Sequence, residues 1–350
     1  MAKNSPLVSV LLAVFNCEKY LAEAIESILQ QDFTDFELLI IEGGSKDKSM
    51  EIIEKYNDPR IRVIQQDKNT KGVAEAANQG LDLAKGKYIA RMDCDDISLP
   101  DRLTKQVKFM EDNPDIDISG TWIKTIGTKS QEIIRYPISH EEIKTMLFFM
   151  PPIAQPTVIM RKSKLKEHNL KYDPSFIIGE DFDLWSRSSF QLKLANLPEI
   201  LLYYRRHPRS LYTTHKNKHA NLFYPIYKRH LEQLEIPFEL KDYDFVRALI
   251  TTNLVNIELT WDFFEKANQW LHLVSERNKK NSVYKEPLFS ENLAKNWFWI
   301  CYKCKRFGSK VFKIHKKSEL KKYSKIPWYL RLKFRFIAFL FQIKFIRKNK

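Results

Sequence analysis

The chain has 350 residues, 44% of them hydrophobic and 13% aromatic, which excludes an intrinsically disordered protein and suits one large domain or two ordinary ones. Its 58 Lys and Arg against 43 Asp and Glu give a net charge of +15 and point to an anionic partner: nucleic acid, an acidic membrane surface or a phosphorylated substrate. Four cysteines are too few for a disulfide framework at this size, and neither a secretory leader nor an apolar run of roughly 20 residues is evident, so a reducing cytoplasm is expected.

The first hundred residues alternate between two periodicities. "LVSVLLAV" is a short β-branched run of the kind buried on both faces of a sheet. "EKYLAEAIESILQQ" sets Leu21, Ile25, Ile28 and Leu29 at helical spacing. "FELLII" reads as a second strand, and "SKDKSMEIIEKY" as a helix with Ser45 as its expected N-cap. "IRVIQQ" is a third strand, followed by the Ala-rich helix "KGVAEAANQGLDLAKG", expected to end at Gly86. "KYIARM" is a fourth strand, and "SLPDRLTKQVKFMEDNP" a helix with Pro100 near its first turn. This alternation predicts a mostly parallel sheet flanked by helices, with ligands beyond the carboxyl ends of the strands. The loops "NCE", "EGGS" and "DCDD" lie at such ends and are expected to face one crevice.

From about residue 115, "IDISGTWIKTIG" and "EIIRYP" read as strands without intervening helices, and "PPIAQPTVIMRKS" as extended chain. "GEDFDLWSRSSF" is a short helix with an acidic start, and "LPEILLYYRRH" a strand. Past about residue 212 the chain reads as mostly helical, and no acid follows Glu319. The lone C-x-x-C of Cys301 and Cys304 lacks a second ligand pair at zinc spacing, so unpaired thiols are expected there.

"ARMDCDDISLP" gathers Asp93, Asp95 and Asp96 within four positions at a strand end. Carboxylates so close suit a divalent cation that relieves their repulsion and accepts a diphosphate. The competing reading is a helix cap by Asp96 or Ser98.

Read together, "LVSVLLAVFNCEKYLAEAIESILQQDFTDFELLI", "IEGGSKDKS", "KGVAEAANQGLDLAKGKYIARMDCDD", "GEDFDLWSR" and "LLYYRRH" resemble, in order and spacing, the family 2 glycosyltransferases of the bacterial cell-envelope glycan type. The resemblance runs from about residue 6 to 210 and implies an α/β fold of the GT-A, Rossmann-like kind with a helical C-terminal extension. It implies a catalytic domain over 1–212, with a nucleotide-sugar half (1–112) and an acceptor half (113–212). A basic helical region over 213–350 follows, with a membrane-association segment at 321–350.

Carried over residue by residue, Asp93 and Asp95 match the family's D-x-D, with Asp95 on the metal and Asp93 towards metal and ribose. Ala13, Phe15, Asn16, Glu42, Gly43, Gly72, Asn78 and Arg205 fall where the donor nucleotide sugar is held. Asp181 matches the general base, with its neighbour Glu180 the rival, and His207 is a further metal ligand. Without the resemblance, Glu180, Asp181 and Asp183 read as first-turn acids answering a helix dipole. Two positions depart from the family pattern: "DDGS" reads "EGGS", so the second acid is Gly43, and Ala77 replaces an Arg before Asn78.

The resemblance implies inverting transfer of a sugar, dependent on Mn²⁺ or Mg²⁺, from a nucleotide-diphospho-sugar, with UDP the default. The acceptor is a hydroxyl of a glycan or a lipid-linked glycan, in cell-envelope polysaccharide synthesis. The basic, aromatic tail fits contact with an anionic membrane, which would place the protein in the cytoplasm on the inner face; the competing readings are a terminal helix packed on the domain, its Lys and Arg stems snorkelling, and a helix that docks on a partner protein. The rivals are a nucleotidyltransferase, a non-catalytic protein of the same fold, and a basic nucleic-acid-binding protein. The first lacks its glycine- and lysine-rich phosphate loop, and no nucleic-acid module is recognised, so nucleic acid is not expected.

Overall fold

The computed structural model describes residues 5–67, 72–208, 221–255 and 257–348, with side chains as far as 341. The chain forms two compact units: Met1–Leu147 with Pro151–Leu222, and Phe148–Met150 with Phe223–Lys350.

The first unit is built on a nine-stranded sheet. Its strands are β1 (Val8–Val14), β2 (Phe36–Glu42), β3 (Ile61–Gln65), β4 (Tyr88–Asp93), β5 (Ile97–Ser98), β6 (Ile118–Ile126), β7 (Ile133–Ile134), β8 (Ile159–Arg161) and β9 (Leu194–Arg205). They run in the order β3-β2-β1-β4-β8-β6-β9-β5, with β7 on β6. The four strands foreseen in the first hundred residues pair in parallel, Val14 beside Glu42 and Ala13 beside Asp93, so their carboxyl ends are level. β6 and β9 are also parallel, and β8 runs antiparallel between β4 and β6.

Both faces of the parallel portion are covered, which is why these strands are apolar throughout. Val8, Val10 and Leu12 of β1 share a core with α1 (Leu21–Leu29) and α4 (Arg102–Asp112). Leu11 points to the other face, against α3 (Val73–Leu83), where a Cβ on Gly80 would meet its Cδ1 at 2.0 Å. Among the described residues, the remaining helices of this unit are α2 (Ser49–Ile53), α5 (His140–Met146), α6 (Lys162–Glu167) and α7 (Glu180–Ser188).

Several local expectations are corrected. Ser45 does not cap α2, which starts four residues later; the Ser45 hydroxyl instead accepts from the Asn16 N–H at 3.0 Å. α3 ends at Leu83, before Gly86, and Gly86 lies against β1 because a Cβ there would come within 2.5 Å of the Ser9 nitrogen. Pro100 precedes α4 by two residues. Neither Asp96 nor Ser98 caps that helix, since Asp96 is turned towards β9. β9 is longer than foreseen, and its register with β6 breaks at Trp122, opposite the stretch that holds Pro198, which has no N–H to donate.

The second unit holds α8 (Tyr224–Gln233), α9 (Tyr243–Thr251), α10 (Trp261–Asn281), α11 (Leu288–Lys303), α12 (Ser309–Lys317) and α13 (Trp328–Lys348). Its core is aromatic: Phe264 stacks on Trp297 at 5.2 Å and Tyr284 on Phe289 at 4.7 Å. Cys301 and Cys304 are free thiols buried in this core, as are Cys17 (buried) and Cys94 (half-buried) free in the first unit. Burial pushes the Cys304 thiol up to about 11 and raises Cys301 well above the usual thiol range, so both are neutral packing groups.

Candidate active site

Three loops at the carboxyl ends of β1, β2 and β4 are tied to one another by their own polar groups. Asn16, at a left-handed φ of 51°, accepts from the Lys46 N–H through its Oδ1 at 2.8 Å. The Cys17 N–H donates to the Ser49 hydroxyl at 2.9 Å, and the Glu18 N–H to Asp47 Oδ2 at 2.9 Å. The Cys17 thiol donates to the Cys94 carbonyl at 2.9 Å, joining the first loop to the acidic one.

Glu42 is buried, and its two oxygens accept from the Gly44 and Ser45 N–H groups at 2.9 and 2.6 Å. Gly43 donates to the Val14 carbonyl at 2.8 Å. A Cβ at Gly43 would sit 3.2 Å from that oxygen and 3.1 Å from Gln66 Oε1, so a second acid there would require these neighbours to give by a few tenths of an ångström. Phe15 projects from the first loop with 59% of its surface exposed, and Ala13 is half-buried beneath it. Gly72 stands at a φ of 98° before α3 and its carbonyl accepts from Gln66 Nε2 at 3.3 Å. Asn78 uses both ends of its amide on the Tyr172 backbone, at 2.8 and 2.9 Å, and so fixes the segment leading to α7.

The acidic loop is held from β9. Asp96 is buried, and its Oδ1 accepts from the Arg205 N–H at 2.7 Å. The Arg205 guanidinium donates to the Asp95 carbonyl at 2.8 Å and to Glu23, and lies over the Tyr20 ring at 4.6 Å. His207 Nε2 stands 2.9 Å from Asp95 Oδ2, with its ring 5.2 Å from Tyr20. Arg206 turns outward to Glu132 at 3.1 Å.

Asp93, Glu180 and Asp181 form a half-buried acidic group that spans the end of β4 and the start of α7. Burial pushes the Asp93 carboxyl up to about 6; Arg91 opposes this, while the charges of Asp95 and Asp181 add to it. Burial and the adjacent Asp181 push Glu180 up to about 8. Burial raises Asp181 as well, against the Phe182 N–H that donates to its Oδ1 at 2.8 Å. Asp183, by contrast, is buried and paired to Arg187 at 2.7 Å. Trp185 is fully buried core, and Gln155 is buried against the Tyr172 hydroxyl at 3.1 Å.

Sequence reasoning passed over Arg91. It is fully buried, Asp93 Oδ1 lies 3.7 Å away, and none of its three guanidinium nitrogens has a hydrogen-bond partner among the described residues. The signal was present: residues two apart on a strand share a face, so Arg91 and Asp93 point the same way from an otherwise apolar run. Arg102, also buried, supports it from α4 by donating to the Arg91 carbonyl at 2.7 Å.

The residues suit a divalent cation held jointly with its substrate. Asp95 offers a carboxylate, His207 an imidazole nitrogen beside it, and Asp93 a further carboxyl that burial raises to about 6. Among the described residues no three His, Cys, Asp or Glu stand together as a metal site made by the protein alone.

Comparison with known proteins gives the family and the fold. Residues 9–179 match the family model for glycosyl transferase family 2, a span that stops just short of Glu180 and Asp181. The O-antigen biosynthesis glycosyltransferase WbnJ of Escherichia coli is 35% identical over 58% of this chain and 81% of its own. The E. coli UDP-Glc:alpha-D-GlcNAc-diphosphoundecaprenol beta-1,3-glucosyltransferase WfaP is 31% identical over 59% of this chain and 79% of its own. Staphylococcus aureus TarS 1–349, solved with UDP-GlcNAc, is 18% identical and superposes with a TM-score of 0.56 over 90% of this chain and 89% of TarS, a likeness of fold.

Proposed function

The chain belongs to glycosyl transferase family 2, and from that premise we propose that it transfers a sugar, with inversion, from a UDP-sugar to a hydroxyl of a lipid-linked envelope glycan. The observation that carries the reading is that Asp93, at the carboxyl end of β4, lies close enough to Asp95 and to Asp181 of α7 for their charges to interact, on the side where this kind of sheet binds ligands. The choice of UDP is supported by WfaP, whose name gives UDP-Glc as donor, and by TarS, solved with UDP-GlcNAc. The choice of acceptor is supported by WfaP, which acts on a diphosphoundecaprenol-linked sugar, and by the O-antigen role of WbnJ.

In this reading the exposed Phe15 and the closed "EGGS" loop line the nucleotide, and Asp93 faces the ribose. Asp95 and His207 would hold Mn²⁺ or Mg²⁺, which supplies positive charge to the departing diphosphate. Asp181 takes the proton from the acceptor hydroxyl as that oxygen attacks the anomeric carbon, a contribution of roughly 10²–10⁴-fold. Its raised affinity for a proton fits that task, and Arg91 keeps it from rising further. Glu180, protonated up to about pH 8, is a hydrogen-bond donor to sugar hydroxyls.

The test is a turnover assay that follows release of nucleoside diphosphate from a panel of UDP-, GDP-, CDP- and dTDP-sugars with a polyprenyl-diphosphate-linked acceptor. Acceptor-dependent release from one UDP-sugar is expected. Release confined to another nucleotide would overturn the donor, and release indifferent to the acceptor would overturn the transfer.

A further inference from the structure

A helix that is apolar on one stripe buries that stripe; a helix apolar on two opposed stripes needs a second surface to cover the other. α13 is of the second kind. Its inner stripe is carried by Phe334 and Ala338, both buried, and the Phe334 ring meets Phe298, Phe312 and His315 at 5.8, 5.6 and 5.8 Å. Its outer stripe is Trp328, Leu332, Phe336, Phe339 and Leu340, all exposed, Trp328 by 73% and Phe336 by 63%. At about 100° per residue these five side chains fall within an arc of about 120°, centred on the side away from Phe334.

The borders of that arc are basic. On the same angular count Lys333 lies about 20° beyond one edge and Arg335 about 20° beyond the other, and both are exposed. The surrounding sequence has one sign: from Leu320 to Lys350 there are ten Lys and Arg and no Asp or Glu. An exposed apolar patch of this kind marks an interaction surface rather than an ordinary solvent face. Charge complementarity selects its partner: apolar side chains to enter hydrocarbon, an aromatic at the start of the helix suited to the headgroup level, and cations along both edges. No helix among the described residues is long and apolar enough to cross a membrane.

We infer that α13 docks flat on an anionic lipid bilayer, with the stripe from Trp328 to Leu340 immersed and Lys333 and Arg335 at the lipid phosphates. The inference is independent of the transfer reaction, because it rests on the second unit alone.

The test is co-sedimentation of the full chain with vesicles of phosphatidylcholine alone or with about 30% phosphatidylglycerol, without donor or acceptor. The wild type is expected to pellet with the anionic vesicles, to stay soluble with the neutral ones, and to be released by salt. Leu332→Glu with Phe336→Glu is expected to lower the bound fraction at least tenfold, and Lys333→Glu with Arg335→Glu several-fold. Neither pair touches the inner stripe, so thermal melting and nucleotide-sugar binding should be unchanged, which separates loss of docking from loss of folding. Equal binding to both vesicle types, or unchanged binding by the Glu variants, would overturn the inference. So would a dimer that the same variants dissolve in the absence of any vesicle binding, since the face would then belong to a second copy.

Discussion

His207 Nε2 lies 2.9 Å from Asp95 Oδ2, which puts the residue two past the end of β9 against the residue two past the end of β4. One bond further in, Asp96 accepts from the Arg205 N–H at 2.7 Å. The acidic loop is therefore held in place by the end of β9 before any ligand arrives.

If Asp95 and His207 share a cation, removing either should act on the metal before it acts on the fold. His207→Ala and Asp95→Asn are expected to weaken activation by Mn²⁺ at least tenfold, with far-ultraviolet circular dichroism unchanged. A chelator should abolish wild-type activity, and added Mn²⁺ should restore it. Isothermal titration of Mn²⁺ in the presence of UDP would report the loss directly; unchanged affinity in both variants would remove these residues from the metal.

Asp181 and Glu180 are adjacent, and only one can be the base. Asp181→Asn is expected to lower kcat by roughly 10²–10⁴-fold with the donor KM nearly unchanged. Glu180→Gln, which keeps a hydrogen-bond donor where Glu180 is already protonated, should cost less than tenfold. Steady-state kinetics of the two variants would exchange their roles if the magnitudes were reversed.

The pH profile follows from burial. A general base acts deprotonated, and Asp181 is raised above its ordinary value, so kcat/KM should fall on the acid side at a pH above the usual carboxylate range of about 4. Arg91 is the nearby cation that lowers it. Arg91→Met should move the acid limb to higher pH, while Arg91→Lys should leave it near the wild type. A purely structural Arg91 would lower kcat in both variants and leave the limb in place.

The same groups bear on stability. Glu180, at about 8 in the folded chain and about 4.3 unfolded, keeps a proton in the native state that the unfolded chain has released across that interval. Its contribution is favourable below the unfolded value and is lost as pH rises towards 8. The melting temperature of the ligand-free wild type should accordingly drop between pH 5 and 8, and Glu180→Gln should flatten that drop, as scanning calorimetry would record. A steeper drop in the variant would contradict the assignment.

Much of this was legible in the sequence where one residue type had one reading. Val8–Val14 could only be a buried strand, and Asp93 and Asp95 lay at a strand end in a metal-friendly spacing. What escaped was set by partners remote in sequence. Ser45 looked like a cap because a serine before a helix usually is one, but Asn16, 29 residues earlier, claimed its hydroxyl. Asp96 was open between cap and ligand until β9, more than a hundred residues later, supplied the Arg205 N–H. Arg91 reads as an ordinary strand residue until the fold buries it with no hydrogen-bond partner among the described residues, an acid 3.7 Å away and the Tyr172 ring 5.8 Å away.

The turn before β4 depends on a close approach. The Lys85 and Gly86 N–H groups both donate to the Ser9 hydroxyl, at 3.0 and 2.8 Å, and Ser9 donates to Glu37 at 2.6 Å. Gly86→Ala would press a methyl against the Ser9 backbone nitrogen and should destabilise the first unit by about 1–3 kcal/mol in chemical denaturation. Unchanged stability would show that the turn can move away from β1.

The most direct measurement is a thermal-shift series of the wild type and Asp95→Asn with UDP-, GDP-, CDP- and dTDP-sugars, each with and without Mn²⁺. Donor binding through the acidic loop predicts that a UDP-sugar raises the wild-type melting temperature only when Mn²⁺ is present, and that Asp95→Asn shows no such rise. A shift that is equal without metal, or that survives in Asp95→Asn, would contradict the placement of the donor at that loop.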